Sequence, residues 1–333
     1  MVSISGMPVI RGVFLLLACA LAGCSTLHGG TARPPIEVVT TLRQADVRVR
    51  SVFDRLARAN VGHCAAVRPE IGLILFTPGQ YDAGYRDALR TLYGTTARLG
   101  VEAVLPGSPA ASAGLRSGDA ITAIDGAPIP EESGVALLDA ATEQMEQAAA
   151  DGKATLTVRD ADGERSAMIV PRRTCDAYID LKVDDDRDAG TDGKTIQLTT
   201  GLLNMVPSDD QLAAVIAHEF AHIVLRHPER MESADVGTGL FAGIGKNGAI
   251  VRRTEREADE LSVFLMANAG FDPHAAAAFW RGPGRKLGGF LSDGTHAGAD
   301  ERAELLDSMV PRLSGQDDEF WEKLIASRDR PLR

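Results

Sequence analysis

Positive charge is in short supply in this chain. Lys and Arg number 35 against 46 Asp and Glu, a formal net charge of −11. No basic stripe is left to neutralise phosphates, which argues against nucleic acid as a partner. Long apolar runs are also lacking. "GVFLLLACALAG", which follows Arg11, is too short to span a bilayer permanently and suits the core of a signal peptide. No internal repeat is visible. Cysteine is scarce, with four in 333 residues at positions 19, 24, 64 and 175. With 44% hydrophobic and 24% charged residues the composition is otherwise that of a soluble globular protein, long enough for two domains.

One apolar run is out of character. "AVIAHEFAHIVLRH", residues 214–227, holds His218, Glu219 and His222 in a stretch that is otherwise apolar nearly all round. Unpaired ionisable groups are costly to bury, so their presence there calls for a use. Four residues apart on a helix, the two imidazoles project from one face and can grip a Zn²⁺ ion. Glu219 beside them can take a proton from water activated by the ion. The pattern H-E-x-x-H is the zincin signature.

The leader ends in "LAGC", residues 21–24, which resembles the lipobox of bacterial lipoproteins. The resemblance implies removal of residues 1–23, lipid on Cys24, and attachment to the periplasmic face of a membrane by that anchor only. Ser25 after the cysteine favours the outer membrane. Cys19 leaves with the signal, so the folded part keeps Cys64 and Cys175. An even remainder in an oxidising compartment reads as one disulfide.

Residues 24–36 read as a tether, and apolar spacing predicts an amphipathic helix over 37–60. "IGLILF", residues 71–76, reads as a strand that closes a first segment, 37–80, of a peptidase domain. Residues 94–172 differ in character, with short β runs, turns, a helix near 137–149 and a hairpin at Asp162-Gly163. "SPAASAGLRSGDAITAIDG" resembles a bacterial PDZ domain, which accepts an extended peptide as an added strand. The resemblance places its carboxylate-binding loop at Arg98, Leu99, Gly100 and Val101. From 173 to 333 the second peptidase segment reads as β-like pieces around the acidic turn "DDDRDAGTDG". A helix capped by Ser208 and ended by Pro228 follows, then a glycine-broken loop, "VGTGLFAGIGKNGA". Helices are predicted at 253–269, 273–281, 300–313 and 317–327.

A catalytic zinc needs a third protein ligand, and Glu255, Glu257 and Asp259 lie on one predicted helix. "EREAD", residues 255–259, with "TTGLLN", "AGFDP" and "THAGADER", is similar to the zinc metallopeptidases that include HtpX and the CAAX prenyl endopeptidases. The resemblance implies an α+β architecture: a mainly helical gluzincin domain with a small β-sheet, interrupted by the PDZ-like module. It makes Glu255 the third ligand and Asp259 a residue that orients a ligand. It places His296 and Arg302 near the cleft, to stabilise the oxyanion or, for His296, to cap the zinc; Ala297 replaces the pattern's Pro. "TTGLL" stands where the family has the edge strand along which substrate lies. At about 100° per residue, Glu257 points about 200° from Glu255, an orientation that reads as solvated. His28, His63, His227 and His274 have no partner at ligand spacing and read as ordinary tether, loop and helix-end residues.

These readings converge on a lipid-anchored, zinc-dependent endopeptidase acting on extended or unfolded envelope polypeptides, with one Zn²⁺ per chain and Glu219 as general base. The rival is a PDZ-containing assembly factor or chaperone whose zinc site is structural or closed.

Overall fold

The computed structural model describes residues 33–95, 97–236, 245–287, 298–314 and 317–332. Cys24, the leader, nearly all of the tether and His296 lie outside these residues. The chain forms two compact units, one from the described part of Met1–Arg43 with Pro69–Arg172, the other from Gln44–Arg68 with Arg173–Arg333. Helix α1 (Pro35–Ala59) gives its first turns to the former and the rest to the latter. No helix among the described residues is long and apolar enough to cross a membrane.

The first unit contains β1 (Leu73–Phe76), α2 (Arg86–Tyr93), β2 (Gly100–Val104), β3 (Ala120–Ile124), α3 (Val135–Ala150), β4 (Ala154–Asp160) and β5 (Gly163–Ile169). These five strands run antiparallel in the order β1-β2-β3-β4-β5, and a sixth, Ala127–Pro128, pairs with β3 off that path. Alternation in β4 buries Ala154, Leu156 and Val158, and α3 sends Leu137, Leu138, Ala141 and Met145 into the same core. The Asp160 side chain accepts from the Asp162 amide (2.8 Å) and tightens the β4–β5 turn at the expected hairpin. The expected domain boundary shifts. β1 pairs with β2, Leu73 opposite Val104 and Phe76 opposite Gly100. "IGLILF" therefore belongs to the sheet of this unit and does not close a peptidase segment at residue 80.

The second unit holds β6 (Tyr178–Lys182), β7 (Ala189–Thr191), β8 (Thr195–Thr199), α4 (Asp209–Val224), α5 (His227–Ser233), α6 (Gly245–Asn268), α7 (His274–Arg281), α8 (Ala299–Met309) and α9 (Asp318–Ala326). β8 lies between β6, to which it is parallel, and β7, to which it is antiparallel. Ser208 caps α4 by accepting from the Gln211 amide, and Asp209 and Asp210 occupy the positive end of the helix dipole. α4 stops at Val224 because Arg226 adopts left-handed geometry (φ 54°), and Pro228 starts the next helix, α5. α6 begins inside the glycine-rich stretch, well before residue 253. Burial of Ile250 with Val236 and Leu332 outweighs the glycine penalty there. Ala217, Phe220 and Ala221 of α4 share one core with Ala258, Leu261 and Leu265 of α6, all fully buried.

"TTGLL" is not an edge strand. Thr199 ends the central strand β8, and Thr200–Leu203 is a helical turn. The motif instead clamps the acidic turn of residues 184–188. Thr199 Oγ1 donates to the Asp186 carbonyl (2.6 Å) and accepts from the Asp188 amide (3.0 Å). Thr200 Oγ1 donates to the Asp184 carbonyl (2.8 Å), which also accepts from the Gly201 amide (2.8 Å). A Cβ on Gly201 would stand 2.2 Å from the carbonyl oxygens of Asp185 and Asp186. The turn leads directly into β7, an edge strand of this sheet among the described residues. Gly201→Ala should therefore cost about 1–3 kcal/mol through forced displacement of this turn. Urea unfolding measures it, and an unchanged midpoint would contradict the close approach.

Candidate metal centre and active site

α4 carries His218 and His222 on one face, and α6 brings Glu255 against them. His218 Nε2 lies 3.4 Å from His222 Nε2, and the Glu255 carboxylate oxygens lie 3.3 Å from the first and 3.5 Å from the second. Ligands about 2.1 Å from a tetrahedral zinc stand about 3.4 Å from one another. The two imidazole nitrogens stand at that spacing, and the carboxylate spans both, Oε2 near His218 and Oε1 near His222, with one donor atom from each of the three residues within 4.8 Å of the others. Two imidazoles and a carboxylate are also a donor set that suits zinc.

The other nitrogen of His218 is held from behind. Nδ1 lies 2.9 Å from Asp259 Oδ1, so the proton sits there and Nε2 keeps its lone pair for a metal. Asp259 is gripped in turn by Arg302, Nε to Oδ2 at 2.8 Å and Nη2 to Oδ1, both residues nearly inaccessible. Arg302 stacks its guanidinium 3.8 Å from the centre of the Trp280 ring. Arg302 Nη2 also stands 3.2 Å from His218 Nδ1. A protonated Nδ1 cannot accept from it, so the carboxylate contact governs. Burial opposes the Asp259 charge, but Arg302 and His218 outweigh it and hold its pKa below the usual range. Burial and Arg302 likewise oppose charge on His218, while Asp259 and Glu255 carry its pKa up to about 10. A metal must displace that proton.

Behind His222 the structure departs from expectation. His227, fully buried, points Nδ1 at His222 Nδ1 (3.0 Å) and Nε2 at Glu257 Oε2 (3.2 Å). Glu257 is buried too, its Oε1 accepting from Arg253 Nε (2.7 Å), with Arg230 Nη1 3.6 Å from Oε2. Glu257 does face away from the Glu255 side of α6, but that side of the helix meets α5 and not solvent. Burial lowers the pKa of His227, with Glu257 opposing, and drops that of His222 to about 3. Glu257 falls to about 2, since His227 and Arg253 outweigh its burial. The left-handed residue Arg226 is what returns the chain under His222. Pattern alone showed only a histidine near a helix end.

Glu219 lines a cavity of about 260 Å³ with His218, His222 and Glu255. Burial raises its pKa, Glu255 adds to this and His218 opposes, leaving it at about 7. The cavity wall includes Ala189, Gly190 and Thr191 of β7, which among the described residues pairs on one side only. Apolar lining comes from Val215, Phe279 and Leu306 among others. Arg302, expected near the cleft, lines the same cavity, with its Nε and Nη2 committed to Asp259. His296 falls outside the described residues.

The residues expected to form the carboxylate-binding loop lead into the sheet of the first unit. Leu99, Gly100 and Val101 are buried at the start of β2, an interior strand flanked by β1 and β3. The Val101 amide donates to Asp119 (2.9 Å), and Leu99 accepts from the Ile121 amide (3.0 Å). Arg98 reaches the carbonyls of Pro130 and Glu132. An added strand needs a free edge, and these residues offer none. The edge strand on that side of the sheet is β1.

An H-E-x-x-H helix, a second helix whose carboxylate spans both imidazoles and a flanking edge strand define a metallopeptidase domain. Residues 188–246, which include His218, Glu219 and His222, match Peptidase family M48, and residues 100–160 match the PDZ domain. The chain carries a Peptidase family M48 domain and a PDZ domain. It is 30% identical over 129 residues to the mitochondrial metalloendopeptidase OMA1 of Arabidopsis thaliana, covering 33% of this chain and 27% of that protein. Its likeness to the mitochondrial metalloendopeptidase OMA1 of Schizosaccharomyces pombe is 30% over 143 residues, 36% and 42% of the two chains. To the Beta-barrel assembly-enhancing protease of Escherichia coli it is 28% over 116 residues, 26% and 24%. The chain therefore spans less than half the length of these relatives.

Arg302→Met should leave the Asp259 carboxylate buried without its guanidinium and lower stability by about 3–5 kcal/mol, read by urea unfolding. Asp259→Leu combined with Arg302→Met should recover much of that loss. Equal stability of the single variant and wild type would show that the pair is not the buried ion pair described.

Proposed function

We propose that the chain is a zinc-dependent endopeptidase that cleaves extended or unfolded polypeptides of the bacterial envelope. The observation that carries this reading is the gathering of His218, His222 and Glu255, one donor atom from each within 4.8 Å of the others. Zinc bound there would act as a Lewis acid on a scissile carbonyl and make water a better nucleophile. Glu219 is the general base: it lines the same cavity as His218, His222 and Glu255. It accepts a proton from water and returns it to the leaving amine. β7 offers its unpaired edge to an extended chain, whose side chains alternate into the apolar cavity wall. Asp259 and Arg302 hold His218 in place.

The PDZ domain would present polypeptide to this site. Cys24 would carry the lipid that keeps the protein at the periplasmic face of a membrane, the outer membrane by the residue that follows it. The similarity to a protease named for β-barrel assembly supports envelope proteins as substrates.

Glu219→Gln should keep the fold and stoichiometric zinc yet hydrolyse an unfolded model protein at least about 100-fold more slowly, the low end for general-base loss. Wild-type rates in that variant, or in chelator-treated protein, would overturn the enzymatic reading and favour a chaperone with a structural zinc.

Cys64 and Cys175 stand at disulfide distance, Cα atoms 5.6 Å apart, and an oxidising compartment would join them. Their 111-residue separation gives about 4–5 kcal/mol in the chain-entropy picture. Mass spectrometry of the alkylated, unreduced protein should find neither thiol labelled; two labelled thiols would rule the bond out.

A further inference from the structure

We propose that His227 and Glu257 are positioning residues of the metal site: they hold His222 in the one tautomer that can bind a metal. The proposal rests on the reading of His218, His222 and Glu255 as ligands, and it concerns a pair of residues outside that set.

The argument is an accounting of protons. The His222–His227 contact joins two ring nitrogens, Nδ1 to Nδ1 at 3.0 Å, so one of them carries the hydrogen and the other a lone pair. If His222 donates, its Nε2 is bare and faces His218 Nε2 and Glu255, as a ligand must. Nδ1 of His227 is then an acceptor, its proton lies on Nε2, and that proton points at the Glu257 carboxylate 3.2 Å away. Every contact along the chain is donor to acceptor.

The reverse assignment fails at both ends. His227 Nδ1–H would donate to His222 Nδ1, which moves the His222 proton to Nε2 and blocks the ligand position. Nε2 of neutral His227 would then aim its lone pair at a carboxylate, acceptor against acceptor. Glu257 is fixed as an acceptor by Arg253 at 2.7 Å on its other oxygen and by Arg230 nearby. With His227 fully buried, no water can reach the ring to reverse the sense of the chain. The carboxylate of Glu257 therefore decides, through His227, which nitrogen of His222 faces the metal point.

His227 stands where a metal-ligating histidine elsewhere has a carboxylate or a carbonyl as its partner. Here the carboxylate acts from one ring further back. The arrangement also explains two buried polar residues that the hydrolytic step does not use.

The test is zinc affinity by competition with a chromogenic chelator, alongside circular dichroism and thermal melting. Glu257→Gln keeps the shape but lets an amide N–H face His227 Nε2, so the chain can run in either sense. It should weaken zinc binding about 10- to 100-fold with little change in the melt of the metal-free protein. His227→Leu should weaken binding to the same degree or more, and His227→Asn, whose side-chain oxygen can accept from His222, should recover part of the loss. A packing role predicts the opposite order, since Leu fills the space better than Asn.

Nitrogen-15 NMR of the histidine rings in zinc-loaded wild-type protein, which needs no variant to fold, should show the proton on Nδ1 of His222 and on Nε2 of His227. The opposite tautomers, or wild-type affinity in both Glu257→Gln and His227→Leu, overturn the proposal. Failure of the wild type to bind zinc at all would instead overturn the metal-site reading, and Glu255→Ala, which removes a ligand, is the control that separates the two.

Discussion

Each imidazole on α4 has two nitrogens, and only one can face the metal point. The other is buried, and a buried N–H without an acceptor costs about as much as a lost hydrogen bond or more. That constraint organises the site. His218 finds Asp259, and His222 finds His227, which finds Glu257. The acceptors must come from neighbouring elements at fixed depth, so the crossing of α4 by α6 and the return of the chain through Arg226 follow from the same requirement. Metal ligands and their supports are thus one packing problem, solved with residues that also sit in the main core.

α6 carries the larger share. Within five residues it offers Glu255 to the metal point, Glu257 to α5 and Asp259 to the back of His218. Three carboxylates so close would repel one another if none were matched. Arg302 neutralises Asp259, and Arg253 and Arg230 neutralise Glu257, which leaves Glu255 to the imidazole pair. Buried ion pairs of this kind seldom add much net stability over apolar packing. Here they fix rotamer and tautomer, which a leucine in the same space could not do. Specificity of geometry is the better account of why charge is kept so deep.

The ligand triad was legible because it rests on short-range rules. Four residues on a helix share a face, and two residues more or less turn a side chain to the far side. That arithmetic puts His218 and His222 on one face and Glu255 and Asp259 on another, while the choice of Glu255 as their companion came from the resemblance of "EREAD"; the structure groups it with the two histidines. What sequence could not supply was the identity of the neighbour on the far side. Glu257 was placed correctly on the helix, yet its environment depends on α5, whose position hinges on one left-handed residue, Arg226. A non-glycine residue at positive φ gives little warning in sequence. Likewise β7 lay hidden inside "DDDRDAGTDG", because three residues of alanine, glycine and threonine carry no strand signal until β8 pairs with them. The PDZ-like loop came from resemblance, and the structure starts an interior strand, β2, within it. A glycine followed by alternating apolar residues describes an interior strand as well as an edge, and only the pairing of β1 with β2 separates them.

The clamp on the acidic turn shows how a short local motif, "TTG", can act as a positional device. Thr199 and Thr200 each both donate to and accept from the turn or its flanks, and Gly201 is pressed against two of its carbonyls. Five acidic residues between 184 and 192 would otherwise favour an open, repelling loop. Holding their backbone down lets β7 leave the turn in register with β8 and expose its other edge beside the metal point. The edge strand is short, and its first residue directly follows the clamp, so its direction is set by the turn more than by its own pairing. Edge strand, acidic turn and threonine clamp are thus tied together by hydrogen bonds and anchored in β8, whose Ile196 and Leu198 share the core that buries the helix of His218 and His222.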